Sequence, residues 1–300
     1  MIQKIIKYIK NPPHILTALG VRGFFNWMPD SLYLKMIFRA KCGYFLNLKN
    51  PRTFNEKLQW LKLYDHNPLY TQLADKYEVR KFIAEKIGEG YLIPLFGVWD
   101  SIDEVDFEKL PNQFVLKCTH DSGSVTICKD KNNFDIEKTK KKLKKCLRRN
   151  YYYGFIEPQY KNIKPRIICE KYMVDESETE LKDYKIFCFN GKPKIIQVDF
   201  NRFTNHKRNL YDTEWNYIPV SIKYPTDPKK NNKRPAGLQN MLSLAQVMSK
   251  NIPHVRVDFY SIHDNIYFGE LTFIPGAGYE KFEPEEFGFE MGSWLEIRNH

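Results

Sequence analysis

The stretch from His254 to Gly278 reads HVRVDFYSIHDNIYFGELTFIPGAG, and its alternation decides how the rest of the chain is arranged. Two runs of alternating polarity flank the turn-forming residues His263, Asp264 and Asn265, which predicts an antiparallel hairpin. Centring the turn on Asp264 sets Asp258 opposite Glu270 and Arg256 opposite Thr272. Strand side chains point to one face at every second residue, so these four share a face, and Val255, Val257, Leu271 and Phe273 take the other. Two carboxylates directly across a ladder repel unless positive charge lies between them. One candidate occupant is Mg²⁺, which takes oxygen ligands, keeps several waters and is usually held by one or two carboxylates plus nucleotide phosphates. The other is Arg256 itself, neutralising its neighbours on an edge hairpin whose polar face is merely solvated. Pro275 and Gly276 follow, where the backbone is free to approach a ligand closely.

The chain has 300 residues, enough for one large or two medium domains with a real core. With 42% hydrophobic and 28% charged residues it reads as a soluble globular protein. No apolar run approaches the roughly 20 residues of a membrane-spanning helix, and the opening MIQKIIKYIK is broken by lysines too often for a signal-peptide core. A cytoplasmic protein is expected. Ile2, Ile5, Ile6 and Ile9 fall at helical spacing between Lys4, Lys7 and Lys10, so residues 1–11 either touch an anionic membrane surface peripherally or lay their apolar stripe on the protein body. Six scattered cysteines without a close CxxC pair read as buried free thiols. The formal charge of +11 implies attraction to an anion without choosing one. Specific nucleic-acid binding is unsupported, because no helix-turn-helix, zinc-finger or RNP pattern is present. P-loop and dinucleotide-fold signatures are missing too, as are internal repeats.

Along the chain, residues 1–73 read as a mostly helical segment. Thr53 and Glu56 form a capping box for a core helix that continues through Leu58, Trp60 and Leu61. Asp75-Lys76 opens a further helix. Gln113 to Lys117 is a strand that ends in a lysine, followed by a small-residue loop with Ser122, Gly123 and Ser124 and a returning strand from Val125 to Cys128. Such a clasp either wraps phosphates with backbone N–H groups, with Lys117 as a point charge, or is an ordinary hairpin turn. The lysine-rich helix from Asp135 to Asn150 reads as a solvated face, with glycan docking as the sharper alternative. Arg166 to Met173 is a strand containing Glu170 and Tyr172, and residues 175–180 form an acidic loop. Asp183 to Lys192 is a strand and Asn-Gly turn, and the next strand runs into Asn201-Arg202. His206, Lys207 and Arg208 read as loop residues, and Pro219 to Pro235 as a long mobile loop or lid.

The ordered set Asn50-Pro-Arg-Thr-Phe-Asn-Glu-Lys-Leu58, Asp75-Lys76, Phe114-Val-Leu-Lys117, Glu170-Lys-Tyr172, Asp183-Tyr-Lys185, Phe189-Asn-Gly191, Arg256-Val-Asp258, Glu270-Leu-Thr272 and Pro275-Gly276 resembles the TupA-like (teichuronopeptide-biosynthesis) ATP-grasp proteins over about residues 30–298. The resemblance implies an α+β ATP-grasp fold: a helical segment over 1–73, a first lobe with the phosphate loop over 74–169, and a second lobe with the metal hairpin over 170–300. It implies ATP and Mg²⁺, with Asp258, Glu270 and Thr272 on the metal and Lys76, Lys185 and Arg202 on the phosphates. Glu170 would read adenine at the hinge that includes Tyr172. By likeness to the D-alanine ligases of the superfamily, Arg256 and the Gly276 N–H would stabilise the tetrahedral stage of amine attack. Where those ligases carry asparagine, this chain has Thr272, a poorer metal ligand. The implied activity is ATP-dependent amide formation between an amine or amino acid and a uronic acid of a capsular or cell-surface polysaccharide. The rival readings are a glycosyltransferase or sugar kinase, the former weakened by the lack of an Asp-x-Asp pair, and a non-catalytic binder of an acidic polymer.

Overall fold

The computed structural model describes residues 12–174, 181–201, 204–230 and 232–297. The basic N-terminal segment of residues 1–11, the acidic loop 175–180 and Arg202 lie outside the described residues. Among the described residues, two larger antiparallel sheets, a two-stranded one and helices form an α+β arrangement. No helix among the described residues is long and apolar enough to cross a membrane.

The first sheet holds β1 (Leu95–Trp99), β2 (Phe114–Cys118), β3 (Thr126–Cys128) and β4 (Ile167–Lys171) in the order β1-β4-β2-β3. Alternation along β2 sends Phe114, Leu116 and Cys118 into a core with Leu143 and Cys146 of a lysine-rich helix (Ile136–Leu147). That helix is capped by Asp135, whose carboxylate accepts the Lys138 N–H at 2.8 Å, and it buries only Thr139, Leu143 and Cys146. Its lysines therefore face outward, as a narrow apolar stripe requires.

The second sheet has the order β11-β10-β5-β6-β7-β8. It is built from β5 (Asp183–Phe189), β6 (Lys192–Phe200), β7 (Lys207–Tyr211), β8 (Tyr217–Ile218), β10 (His254–Ile262) and β11 (Asn265–Thr272). The short β9 (Ser221–Ile222) pairs with β12 (Phe282–Glu283). Lys207 and Arg208 thus belong to a strand rather than a loop. The segment after Pro219 is tied down as well: Asn209 bonds the Asp227 carbonyl, the Asp227 N–H and the Thr226 hydroxyl, each at 2.8 Å. Lys207 adds an ion pair to Asp227 at 2.6 Å. One buried asparagine so replaces the expected mobility of residues 220–227 with a fixed turn, because its amide satisfies both backbone groups at once.

In the β10–β11 hairpin Asp258 pairs with Glu270 and Arg256 with Thr272, the register that alternation predicts. The route differs from a single turn centred on Asp264. His263 and Asp264 alone make a two-residue turn, both with positive φ (47° and 61°). Gly269 is then an extra residue opposite the register shift between Asp258 and Phe259, which restores the carboxylates to opposing positions. A side chain at 269 would press on the Asp258 carbonyl, 3.0 Å from the position of its Cβ.

Four helices over residues 12–74 cover the lower part of this sheet and the loop beyond it: α1 (Pro12–Val21), α2 (Asp30–Cys42), α3 (Phe54–Tyr64) and α4 (Leu69–Ala74). The Thr53–Glu56 capping box forms, and the Glu56 carboxylate also accepts the N–H groups of Asn47 and Arg52 at 3.2 and 2.9 Å. Phe54 reaches the sheet, with its ring 4.9 Å from His254 and 5.7 Å from Phe189. The face of β10 and β5 that carries Arg256, Asp258 and Lys185 is therefore apolar under α3 and charged beyond it. All six cysteines are unpaired, and five are buried.

Burial pushes the His254 imidazole down to about 3 from its ordinary 6.5. The unfolded chain takes up a proton below about pH 6.5 that the native state refuses, so stability falls as pH drops from 6.5 toward 3. Replacing His254 by phenylalanine is expected to make the loss in unfolding free energy between pH 7 and pH 5 smaller by about 2 kcal/mol, as read from urea midpoints at the two pH values.

Candidate functional site

Asp258 is 3% exposed, and a buried carboxylate costs several kcal/mol unless it is paired and hydrogen-bonded. Two groups meet that need. Arg256 grips it in bidentate fashion, Nε to Oδ1 and Nη2 to Oδ2, both at 2.7 Å. Lys185, opposite Asp258 on β5, donates to Oδ2 at 2.9 Å and pairs with Asp183 at 2.5 Å. Burial still pushes the Asp258 pKa up, against the pull of Arg256 and Lys185. Arg256 Nη2 also donates to Glu270 Oε1 at 3.2 Å and to Thr272 Oγ1 at 3.1 Å, and the Thr272 hydroxyl donates to Glu270 at 3.0 Å. Burial works against the Glu270 charge, yet Arg256, Lys76 and Lys185 together hold its carboxyl below the usual range. The Glu270 side chain stays 46% exposed.

This end of the hairpin opens into a chamber of about 780 Å³. Lys76, Ser122, Arg256, Glu270, Thr272 and Gly276 all line it. Lys76 is set in place by its ammonium, which donates to the Asp121 carbonyl, and by its N–H, which donates to the Thr119 carbonyl at 3.2 Å. Burial lowers the Lys76 pKa, with Glu270 and Asp121 opposing.

Other sequence candidates stand elsewhere. Ser124 is buried, accepting the Cys118 N–H at 2.8 Å and donating to Asp121 at 2.5 Å. Its hydroxyl braces the loop from inside and is not presented to a phosphate. Asp121, by the same bond, is held within the loop. Gly123 occupies the turn with φ +101° and open space around it. Lys117 pairs with Glu170 at 2.6 Å, and Arg80 approaches the other Glu170 oxygen at 3.7 Å. Both carboxylate oxygens of Glu170 are thereby engaged. Tyr172 lies just past β4, under the Lys129 ammonium at 5.9 Å. His206 is bonded to Asp199 at 3.2 Å and stacked on Tyr224, as a structural residue would be.

Among the described residues no group of three or more His, Cys, Asp or Glu gathers to hold a metal. The hairpin offers two carboxylates and a hydroxyl on one face. That donor set fits an ion that completes its shell with water and phosphate oxygens, as Mg²⁺ does.

Sequence reasoning missed what holds the loop that lines the chamber. Asn55, Gln59 and Lys62, at i, i+4 and i+7 of α3, are polar yet buried, and all reach the loop after β11. Asn55 donates to the Glu280 carbonyl at 2.8 Å, Gln59 to the Gly278 carbonyl at 2.9 Å, and Lys62 to the Ala277 carbonyl at 2.8 Å. The loop needs such support, because Gly276 and Ala277 are both left-handed (φ 55°), and a Cβ at Gly276 would come within 2.1 Å of Glu280. A polar stripe at helical spacing was the available signal. Glu157, Tyr151, Tyr160 and Tyr279 also line the chamber and were not singled out.

The model of the family described as TupA-like ATPgrasp matches residues 56–296. No curated protein matches the chain. Among solved structures, the L-amino acid ligase from Bacillus licheniformis is similar at 12% identity, with 91% of this chain and 64% of that one covered and a TM-score of 0.48. The D-alanine–D-alanine ligase from Bacillus anthracis complexed with ATP is similar at 16% identity over 67% of this chain and 54% of that one, with a TM-score of 0.39. N5-carboxyaminoimidazole synthetase from Staphylococcus aureus complexed with ADP gives 12% identity, 81% and 50% coverage and a TM-score of 0.39. The chain thus spans between 50% and 64% of the length of these three proteins.

Gln59→Leu removes the donor to the Gly278 carbonyl and the acceptor of the Lys62 ammonium, both buried. Its unfolding free energy is expected to fall by about 2–3 kcal/mol, as buried groups left unpaired require. An unchanged urea midpoint would remove Gln59 from the support of this loop.

Proposed function

Because the chain belongs to the TupA-like ATP-grasp family, we propose that it is an ATP-dependent ligase that joins a carboxylate to an amine through an acyl phosphate. Amide formation from the two free partners is uphill in water, and phosphoryl transfer from ATP makes the acyl carbon reactive. Such transfer needs little covalent chemistry from the protein and much fixed positive charge. The observation that carries the reading is the Asp258–Glu270 pair, set across two strands with Arg256 between them at the mouth of the chamber.

Asp258, Glu270 and Thr272 are the residues that would hold Mg²⁺, which when bound neutralises phosphate charge and polarises the transferred group. Lys185 and Lys76 flank that position from the second sheet and from the turn before Val79, and serve as fixed cations for the phosphates. Lys117 joins them from the first sheet, oriented by Glu170. The main chain between Glu170 and Tyr172 takes the base. Arg202 completes the set in the same reading. Arg256 stabilises the acyl oxygen during amine attack, together with the Gly276 N–H. Ser122 and Gly123 contribute backbone N–H groups over the phosphates, with Ser124 as the internal brace.

The reading extends to an anionic acceptor, a uronic acid of a bacterial capsular or cell-surface polysaccharide, coupled to an amino acid or other amine. It is supported by the family resemblance, by the net charge of +11, and by Lys41, Lys223 and Lys281 at the chamber. A cytoplasmic enzyme with peripheral membrane contact through residues 1–11 belongs to the same reading.

Glu270→Gln is expected to lower ADP and phosphate release by about 100-fold or more, since a preorganised charge is lost at the transferred group, with an unchanged thermal melt. Assays with ATP, Mg²⁺, uronic acid oligosaccharides and an amino acid mixture, followed by mass spectrometry, check it. Near-normal rates would overturn the metal site, and phosphate on the sugar would replace the ligase with a kinase.

A further inference from the structure

Glu157 lines the same chamber as the hairpin residues Arg256 and Glu270, from the turn that follows a short helical segment (Tyr152–Phe155). It is 4% exposed and lines the cavity. Gln159 donates to its Oε2 at 3.0 Å. Burial pushes its carboxyl up to about 7, with Lys62 and Gln159 pulling the other way. Lys62 of α3 lies beneath it, its own pKa lowered to about 7, chiefly by burial, while Glu157 raises it. Tyr151 and Tyr160 contact each other edge to face at 5.0 Å between the two ends of the chamber. The phenol of Tyr160 is raised well above its ordinary value by burial and then by Glu157 and Glu270 together, with Arg256 opposing. Tyr279 faces Glu157 from the loop after β11 and is raised by burial in the same way. The groups acting on the Glu157 carboxylate are therefore one lysine and one amide, and the phenols of Tyr160 and Tyr279 that feel its charge stay protonated.

An amine attacks an acyl carbon only through its free lone pair, whereas a free amine in water near pH 7 is an ammonium. Some group in the chamber has to take that proton. A buried carboxylate that lines the same chamber as Arg256 and Gly276, on a segment separate from the metal face, is built for it.

We propose that Glu157 is the general base that deprotonates the acceptor ammonium in the amide-forming step; this rests on the ligase reading above. The Glu157 carboxylate accepts one proton from R–NH₃⁺, which leaves R–NH₂ with a free electron pair. That pair forms the C–N bond to the acyl phosphate, the C–O bond to phosphate breaks, and phosphate departs with the bonding electrons. The second nitrogen proton passes to the departing phosphate as the tetrahedral stage collapses, and Glu157 returns its proton to solvent before the next turnover.

Hydroxylamine separates this role from the rest of the reaction, because it is already neutral near pH 7 and traps an acyl phosphate as a hydroxamate. The full chain is incubated with ATP, Mg²⁺ and uronic acid oligosaccharides, with either hydroxylamine or an amino acid mixture. In Glu157→Gln, amide formation is expected to fall by about 100-fold or more, in the range that general base catalysis supplies, while hydroxamate formation stays within a few-fold of wild type. Glu157→Asp, which keeps an acid, is expected to recover part of the amide activity. In the wild type, kcat at saturating amine falls as pH drops below about 7, where Glu157 takes up its proton, and the hydroxamate rate does not. Equal loss of both products in Glu157→Gln, or a wild-type hydroxamate rate that falls in step with the amide rate, overturns the base assignment and leaves the ligase reading standing. No hydroxamate from the wild type overturns both.

Discussion

A carboxylate pair set across two hydrogen-bonded strands is unstable without cations, and this one has two of them built in. Asp258 is buried beside Lys185 and gripped by Arg256, which also reaches Glu270. The attraction among Asp258, Lys185 and Arg256 has to offset the desolvation of each charge, so none of these three is dispensable to the others. Much of the local architecture serves this balance. Strand β5 lies next to β10 and so brings Lys185 and Asp183 to Asp258. The extra residue at Gly269 sets Glu270 opposite Asp258 rather than one place away. The cations that hold the ladder together are the same ones that the proposed ligase reading assigns to a triphosphate, so in that reading an anion exchanges partners without creating a new charge requirement.

The helix over Phe54–Tyr64 has two jobs that its sequence keeps on separate residues. Phe54, Leu58 and Leu61 bury apolar surface, and Phe54 closes over His254 and Phe189 on the lower half of the polar face. Asn55, Gln59 and Lys62 instead satisfy carbonyls of the left-handed loop that ends the hairpin. A loop in that conformation persists only when its surroundings over-determine it. The Asn50–Leu58 stretch and the Pro275–Gly276 pair, far apart in sequence, are therefore two halves of one support.

The hairpin was legible because its information is local: period-two alternation fixes which residues share a face, and the turn residues fix where the chain reverses. Even there the two-residue turn and the bulge were hidden, since a turn of His263 and Asp264 plus an extra Gly269 gives the same pairing as a turn centred on Asp264. The Thr53–Glu56 cap was readable for the same local reason. Contacts between distant segments were not. Nothing around Ser124 shows that its hydroxyl turns inward to Asp121 and Cys118, or that Asn209 pins residues 226 and 227. Glu157 stands alone in a tyrosine-rich stretch, and its position at the chamber follows only from how α3 and the hairpin close around it.

Two acids that line the chamber are driven in opposite directions by what surrounds them. Glu270 feels burial, but Arg256, Lys76 and Lys185 outweigh it and keep the carboxylate charged. Glu157 feels burial with a single lysine to oppose it, and its affinity for a proton rises. A permanent anion is what a metal and phosphate site requires, and a carboxyl that titrates near neutrality is what proton transfer requires. The difference does not come from residue type, since both are glutamates. It comes from the number of cations within reach, three in one case and one in the other, and that count is fixed by the packing of α3 and the second sheet around a common cavity.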